Sequence, residues 1–417
     1  MPDTQENRLI KIGNATISKN SPTYFIADVA ANHDGDLEKA KDLIYAVAEA
    51  GGDAAKFQNF QAETIVSDHG FKSLGGQLSH QSKWEKSVFE TYQDASLPLE
   101  WTETLKETCD KAGVDYFTSP YSPDLIKAVS PYVAAWKMGS GDVTWHESIR
   151  NMARTGKPVI LATGASTMQE VEMAVAAAKE ITDDVILMQC NTNYTANSDE
   201  PREDALARMA CINLRVLDTY AKKFPDVILG LSDHTLGHTT VLGAVALFGA
   251  RAVEKHFTLD NNAKGPDHPF SMNPTTWREM VDATRAVESK LTDTMTYDER
   301  VELIRPYVDM EELEASMGDG RKRIEDNERD TCVLQRRAIC VKHPVKAGHV
   351  LAQEDIFPLR PAIEGGFEPY QTDAVIGKAV VKDFVAGEML RQDYLAEGDV
   401  LKGTGITEAI RRGKTGN

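Results

Sequence analysis

The stretch YFIADVAANHDGDLEKAKDLIYAVAEAGGDAAKFQ, residues 24–58, decides how the chain is to be read. A short apolar run passes through a polar turn into LEKAKDLIYAVAEAGG, whose apolar residues recur at helical spacing and whose glycines mark the stop. A second apolar run, AAKFQ (54–58), follows. This strand–helix–strand unit is repeated through YFTS (116–119), AAWKM (134–138), PVILA (158–162), VILMQC (185–190), VILGLS (227–232) and AVEKHF (252–257). Eight such runs separated by helical segments predict an α/β fold, a closed (β/α)8 TIM barrel over residues 1–290. The alternative is an open doubly wound sheet, but no glycine-rich dinucleotide fingerprint follows the first strand.

Two segments break the rhythm. Residues 61–98 form an insertion too long for a plain strand-to-helix loop, on the side where barrel enzymes carry lids. Residues 291–332 are dense in charge and poor in apolar runs, which predicts a partly helical linker. Beyond it, KHPVKAGHVLAQEDI (342–356) and VKDFVAGEMLRQDYL (381–395) echo one another, so residues 333–396 read as a small pseudo-symmetric β domain of two half-units. Residues 397–417 are left as a tail.

A chain of 417 residues with 41% hydrophobic and 26% charged residues is ordinary globular material. Its formal charge of -18 argues against nucleic acid or an anionic membrane as partner, because a phosphate surface repels it on average. No apolar stretch is long enough to span a bilayer and the N-terminus lacks an export layout, so a cytoplasmic location is expected. Five scattered cysteines without a CxxC pair point to buried thiols.

In a barrel of this kind chemistry sits at the C-terminal strand ends. Polar residues are dense there: Asp28, Lys56, Gln58, Ser119, Lys137, Ser140, Thr163, Asn191, Tyr194, Ser232, His234, Glu254 and His256. Lys56 and Lys137 carry the most weight, since an unpaired ammonium in an apolar strand is costly. Pointing into one mouth beside Ser119, Ser140, Ser232 and the turn GSGD (139–142), they suit an anion pocket for phosphate or carboxylate. His234 and His256 end successive strands and form a two-nitrogen metal signal that leaves coordination positions for water and substrate. In GPDH (265–268) the turn residues bend the chain so that Asp267 either faces the pocket or caps the helix after SMNP; His268 is read as structural.

Taken in order, FIADVAANHDG, AAKFQ, FTSPYS, WKMGSGD, LATGAS, GLSDHT, EKHFT, GPDH and FSMNP resemble the sialic acid synthase family of N-acetylneuraminate, legionaminate and pseudaminate synthases. RRAICVKHPVKAGHVLAQEDIFPLRP (336–361) is similar to the antifreeze-like (SAF) domain that completes those enzymes. The resemblance implies condensation of phosphoenolpyruvate with an open-chain N-acylmannosamine-type sugar, with Mn2+ or a similar divalent cation, giving a nine-carbon 2-keto acid and phosphate. It implies phosphoenolpyruvate on Lys56, Ser119, Lys137, Ser140 and Ser232, the metal on His234 and His256, and the sugar against Gln58, Tyr194 and Asp267. Arg360 would reach the sugar from the cap of a partner subunit in a domain-swapped homodimer. Asp28, Glu254 and Asp267 are the candidates for handling the proton of the attacking water. Asp28 stands where the family usually has glutamate, and Ala162 where some members have serine. Two other readings compete: a phosphoenolpyruvate-dependent synthase of another keto-sugar acid, which would lack the paired C-terminal units, and a non-catalytic sugar-binding homologue, which would not need both histidines.

Overall fold

The computed structural model describes residues 8–396 apart from 76–80, 82–83, 193, 195 and 197–199. The expected tail 397–417 and part of the insertion 61–98 therefore lie outside the described residues. A hairpin of β1 (Ile10–Ile12) and β2 (Ala15–Ile17) precedes the barrel, and the anticipated runs become its eight strands. These are β3 (Tyr24–Asp28), β4 (Ala54–Asn59), β5 (Asp115–Pro120), β6 (Trp136–Met138), β7 (Val159–Ala162), β8 (Val185–Cys190), β9 (Ile228–Asp233) and β10 (Ala252–His256). They close in sequence order, all parallel, with β10 beside β3.

Side chains alternate along each strand, so every second residue enters the barrel. Tyr24 and Ile26 pack inside while Phe25 and Ala27 pack outward against the helices. The lower interior is apolar, built from Ile26, Ala54, Phe117, Ile160, Ile186 and Ala252. Ile10, Ile12 and Ile17 of the hairpin join this cluster and plug the N-terminal end, a role for residues before Tyr24 that the sequence reading does not anticipate. Two residues further along the same strands the inward positions turn polar, and the register sets Asp28 against Lys56 and His256, and Gln58 against Ser119. The outer helices form for local reasons. In Leu37–Glu49, Asp36 accepts from the backbone N–H of Glu38 and Lys39 at the N-terminus, and Ala40, Leu43, Ile44 and Val47 make one buried stripe.

The insertion folds into short helices, Ala62–Ile65, Asp68–Ser73 and Val88–Asp94, that rise beside the mouth. The charged linker is helical over Tyr297–Ile304 and Met310–Ser316, and Ile304, Leu313 and Met317 join the barrel's outer core; the charges occupy the other face. In the C-terminal unit β11 (Ala338–Val341) pairs antiparallel with β12 (Ile356–Leu359). The sequence echo becomes geometry here. Gly348 donates to the Val380 carbonyl at 2.7 Å and Gly387 to that of Val341 at 2.8 Å, equivalent bonds exchanged between the half-units. Ile339, Val341, Val345, Leu351, Phe384 and Leu390 form its core.

This unit sits over the mouth of its own barrel. Arg336 pairs with Glu170 at 2.6 Å and Arg337 with Asp142 at 2.8 Å, all four side chains buried. The backbone N–H of Ser67 donates to the Arg360 carbonyl at 2.7 Å, stitching the insertion to the cap. Among the described residues no helix is long and apolar enough to cross a membrane. The five cysteines are free thiols, four of them buried and Cys211 half-buried.

Candidate active site

The polar upper layer lines a cavity that opens at the barrel mouth. Its floor holds four charges. Lys56 Nζ donates to Asp28 Oδ2 at 2.6 Å and lies 3.8 Å from Glu254 Oε2, while Lys137 Nζ donates to Glu254 Oε1 at 2.9 Å. Ser232 donates to Glu254 at 3.2 Å and Gln58 to Asp28 at 3.2 Å. Burial works against the charges of Lys56 and Asp28, and the attraction of their neighbours outweighs it. The Lys56 ammonium is raised above its ordinary range by Asp28 and Glu254, and Asp28 is held below the usual carboxylate range by Lys56 and His256. Lys56 and Asp28 are thus held as an ion pair.

Beside it stand the two histidines, ring centroids 5.5 Å apart. His234 donates from Nδ1 to the Asn191 carbonyl at 3.0 Å, which leaves the lone pair of a neutral ring on Nε2. Burial lowers His256 to about 4, so it stays neutral as a metal ligand must, and its Nε2 lies 3.6 Å from Asp28 Oδ2. Burial opposes a charge on His234 too, yet its contacts with Cys190 and the Asn191 carbonyl raise it overall. Two imidazoles with a carboxylate alongside suit a divalent cation of borderline softness. Among the described residues no group of three His, Cys, Asp or Glu side chains could hold one alone, so oxygen from substrate or water would complete it.

Ser119, Ser140, Tyr194, Asp267 and Arg360 also line the cavity. Asp267 accepts from the Ala31 N–H at 3.3 Å, so of its two readings the pocket-facing one holds, and the helix after SMNP is capped by Asn273 instead. Burial and the nearby Asp28 raise its carboxyl to about 6. His268 is structural as expected, bonded to Thr258 and Asp34.

Two of the polar strand-end residues, Thr163 and Asn191, expected to bind substrate at the mouth, turn away from it. Thr163 follows the inward-facing Ala162, so alternation turns it out of the barrel, where it donates to the Met188 carbonyl at 2.7 Å and meets Tyr220 OH at 2.9 Å. Asn191 follows Cys190 for the same reason and exchanges amide bonds with Asn327, at 2.9 and 3.0 Å; only its carbonyl serves the site, through His234. Asn193 and Thr195 lie outside the described residues.

Other residues were missed. Asp142 receives both Arg337 and Arg360, and Arg360 is further held by Gln335 at 2.5 Å and Tyr92 OH at 3.2 Å, over the Tyr121 ring. Glu328, fully buried on the linker, accepts from the N–H groups of Ala165 and Thr192 and so fixes two of the rim turns. At Gly164 any side chain would strike the Thr192 hydroxyl, which is why LATGAS carries glycine there. The doublet RR at 336–337 was the available signal, since two adjacent arginines at the start of an apolar strand must find acids when buried.

A parallel barrel with paired lysines and histidines at its carboxyl rim, covered by an arginine-bearing cap, has the layout of a barrel enzyme's active site. Comparison with known proteins gives that layout its family. The model of the NeuB family matches residues 43–296, and that of the SAF domain matches residues 336–396. The N,N'-diacetyllegionaminic acid synthase of Legionella pneumophila is 29% identical, over 89% of this chain and 94% of its own. The pseudaminic acid synthase of Campylobacter jejuni is 29% identical, over 92% and 99% respectively. The crystal structure of the spore coat polysaccharide biosynthesis protein SpsE of Bacillus subtilis matches with a TM-score of 0.71 at 27% identity, covering 94% of this chain and all of that one. The chain belongs to the NeuB family, and it is an enzyme.

Proposed function

We propose that this protein is a nonulosonic acid synthase that condenses phosphoenolpyruvate with an open-chain N-acylmannosamine-type sugar, releasing phosphate and a nine-carbon 2-keto acid. The observation that carries the reading is the floor: Lys56 and Lys137, one strand apart from each other across β5, converge on Glu254 within hydrogen-bonding range of Ser232 and beside both histidines. Charge supports it. Two lysines that already face Asp28 and Glu254 offer little excess positive charge to a phosphate and a carboxylate, and a divalent cation held by His234 and His256 would add to it. Mn2+ fits that donor set, and when bound such an ion polarises the aldehyde oxygen.

The chain's own groups do the rest. Lys56, Lys137, Ser119, Ser140 and Ser232 hold the phosphoenolpyruvate oxygens, while Gln58, Tyr194, Asp267 and Arg360 orient the sugar. The enol carbon attacks the aldehyde carbon, forming the carbon–carbon bond, and cationic character at the phosphate-bearing carbon takes up water. One water proton ends on the new sugar hydroxyl. The other leaves with phosphate as the carbon–oxygen bond breaks and the ketone forms. Asp267, raised toward neutrality, is suited to relay these protons, whereas Asp28 is held ionised by Lys56 and stabilises charge. The cap excludes water during the attack.

The domain-swapped homodimer belongs to the same proposal. The pairs Arg337–Asp142 and Arg336–Glu170 form here within one chain, and exchange of caps would set the same pairs between two chains. Sedimentation measures the assembly. The reaction is tested by following phosphate release from phosphoenolpyruvate with N-acylmannosamine-type sugars, with Mn2+ and with chelator. Metal-dependent release that requires the sugar supports the reading, and its absence with every sugar refutes it.

A further inference from the structure

The linker ends against the barrel, and there some of its charges turn inward. Lys322 and Glu328 are buried, Glu328 completely. A connector that only tethered two units would leave such charges in water, since burying them is costly. The backbone is pinned just before them. Asn213, at a positive φ of 55°, donates to the Arg321 carbonyl at 3.1 Å and accepts from the Gly320 N–H at 2.9 Å. Gly318 passes so close that any Cβ would strike the Asn213 amide.

These linker groups reach one stretch of the barrel, Gln189 to Thr192 at the end of β8. Lys322 Nζ donates to Gln189 Oε1 and to the Cys190 carbonyl, both at 3.4 Å. Asn327 and Asn191 exchange amide hydrogen bonds. Glu328 Oε1 accepts from the Thr192 N–H at 2.6 Å. That N–H and the Asn191 carbonyl are the two ends of a single peptide group, planar and trans, so they point in opposite directions. On one side stands Glu328; on the other, His234 donates from Nδ1 to the carbonyl at 3.0 Å. Carboxylate, peptide and imidazole thus form one chain of hydrogen bonds, in which each bond polarises the next. The same Glu328 oxygen also receives the Ala165 N–H at 2.7 Å, but that turn has a second hold, since Arg336 donates to the Ala165 carbonyl at 2.8 Å.

We infer that Glu328 is a positioning residue for His234: through the Asn191–Thr192 peptide it fixes the ring with Nδ1 protonated and Nε2 free for a divalent cation, and makes that nitrogen a stronger donor. This rests on the synthase reading above and adds the part of the chain on which its metal site depends. A carboxylate bonded directly to a ligating imidazole acts in this way in many metal sites. Here a peptide group stands between the two. The linker is therefore part of the metal site's support as well as the connection between barrel and cap.

The test is Mn2+ binding to the full-length protein without substrates, followed by loss of the free ion's electron paramagnetic resonance signal. Removing a support of this kind costs about 10–100-fold in metal affinity, and Glu328→Ala is expected at the lower end, about tenfold, because the peptide remains. If the alanine variant does not fold, Glu328→Met, which fills the space without accepting a hydrogen bond, takes its place. Glu328→Gln keeps an acceptor for the Thr192 N–H and should recover part of the loss. Arg305→Ala, which removes an exposed linker arginine paired with Glu302, should bind Mn2+ as the parent does. Nitrogen-15 NMR of the metal-free protein gives a reading that a merely structural role would not move. The His234 ring, assigned through His234→Asn, is expected with Nδ1 protonated in the parent and as a mixture of tautomers in the variant that lacks the acceptor. A parent that binds no Mn2+, with a tautomer that still depends on Glu328, overturns the metal reading and leaves the positioning standing. An unchanged Mn2+ affinity or an unchanged His234 tautomer in the variant lacking the acceptor overturns the inference.

Discussion

Replacing Asp142 by asparagine removes one negative charge from between two buried arginines while keeping the side chain's size. In the structure Arg337 Nε donates to Asp142 Oδ1 at 2.8 Å and Arg360 Nη2 lies 3.5 Å from the same oxygen. Burial opposes the charge on Asp142, but Arg337 and then Arg360 hold it below the ordinary carboxylate range. Breaking a buried pair by neutralising one partner costs about 3–5 kcal/mol, because the other charge is left uncompensated. Arg337 keeps the carbonyls of Thr64, Pro358 and Tyr121, at 2.8 to 3.1 Å, so the lower end, about 3 kcal/mol, is expected. That energy sits in the docking of the cap on the barrel, and the docking constant should fall by a factor of about 100. Amide hydrogen exchange separates docking from folding of the cap. The amides of Ser67 and Arg360, which bond across the boundary to Arg360 and Ile65, should lose protection. Those of Ile339 and Leu390, bonded within the cap, should keep theirs. If Ser67 keeps its protection, or all four amides lose theirs together, the reasoning that these pairs dock the cap is wrong.

The remaining expectations need less working. His256→Ala should abolish metal-dependent phosphate release without lowering the thermal midpoint, and retained activity would remove His256 from the metal site. Thr163→Val should cost about 1 kcal/mol of stability for its lost hydrogen bonds and leave the phosphoenolpyruvate KM unchanged; a raised KM would restore the role its position in the sequence suggested. Asp267 gives a pH dependence whose sign is set by its raised carboxyl. A folded value of about 6 above an unfolded one of about 3.9 means that its contribution is fully present below the unfolded value and is lost as pH rises through 6. Complete burial would make this about 3 kcal/mol, but the side chain opens onto the cavity and water screens it, so about 1–2 kcal/mol is expected. The free protein should therefore be relatively stabilised by Asp267→Asn at pH 8 and not at pH 4, as thermal unfolding would show; equal effects at both would refute the assignment.

How much of this could be read beforehand follows from the period of a strand. Eight apolar runs at regular spacing were enough for the barrel, and the same runs contain the inward and outward assignment, because inward residues lie two apart. Asp28, Lys56, Lys137, Ser232, Glu254 and His256 share the inward parity of Ile26, Ala54, Ala135, Ile228 and Ala252. Thr163 and Asn191 have the opposite parity and fall outside, so counting from the apolar interior would have excluded them. The same count explains Asp233 and Lys255, a buried ion pair between barrel and helices that resembles site chemistry by composition alone. What strand parity could not reveal is the company each charge keeps across long separations. Asp142 with Arg337, Glu170 with Arg336, and Glu328 with the turns at Ala165 and Thr192 join residues more than 130 positions apart.

These long-range partners also show why a minor β unit follows a complete barrel. A unit whose own core is ten buried side chains has little surface with which to grip a neighbour. Charged pairs, costly to bury and specific in geometry, fix where it sits more than how tightly it holds. Arg336 and Arg337 are adjacent in sequence and point to two different acids, one on the helix Met168–Lys179 and one in the turn after β6, so the cap can meet the barrel in one orientation only. That orientation carries Arg360, twenty-three residues further along, to Asp142 as well. The carboxylate that receives the docking arginine thus also positions Arg360, which lines the cavity and is proposed to face the sugar. Docking and completion of the site are linked, and a change that weakens the first raises the sugar KM once the undocked state is populated.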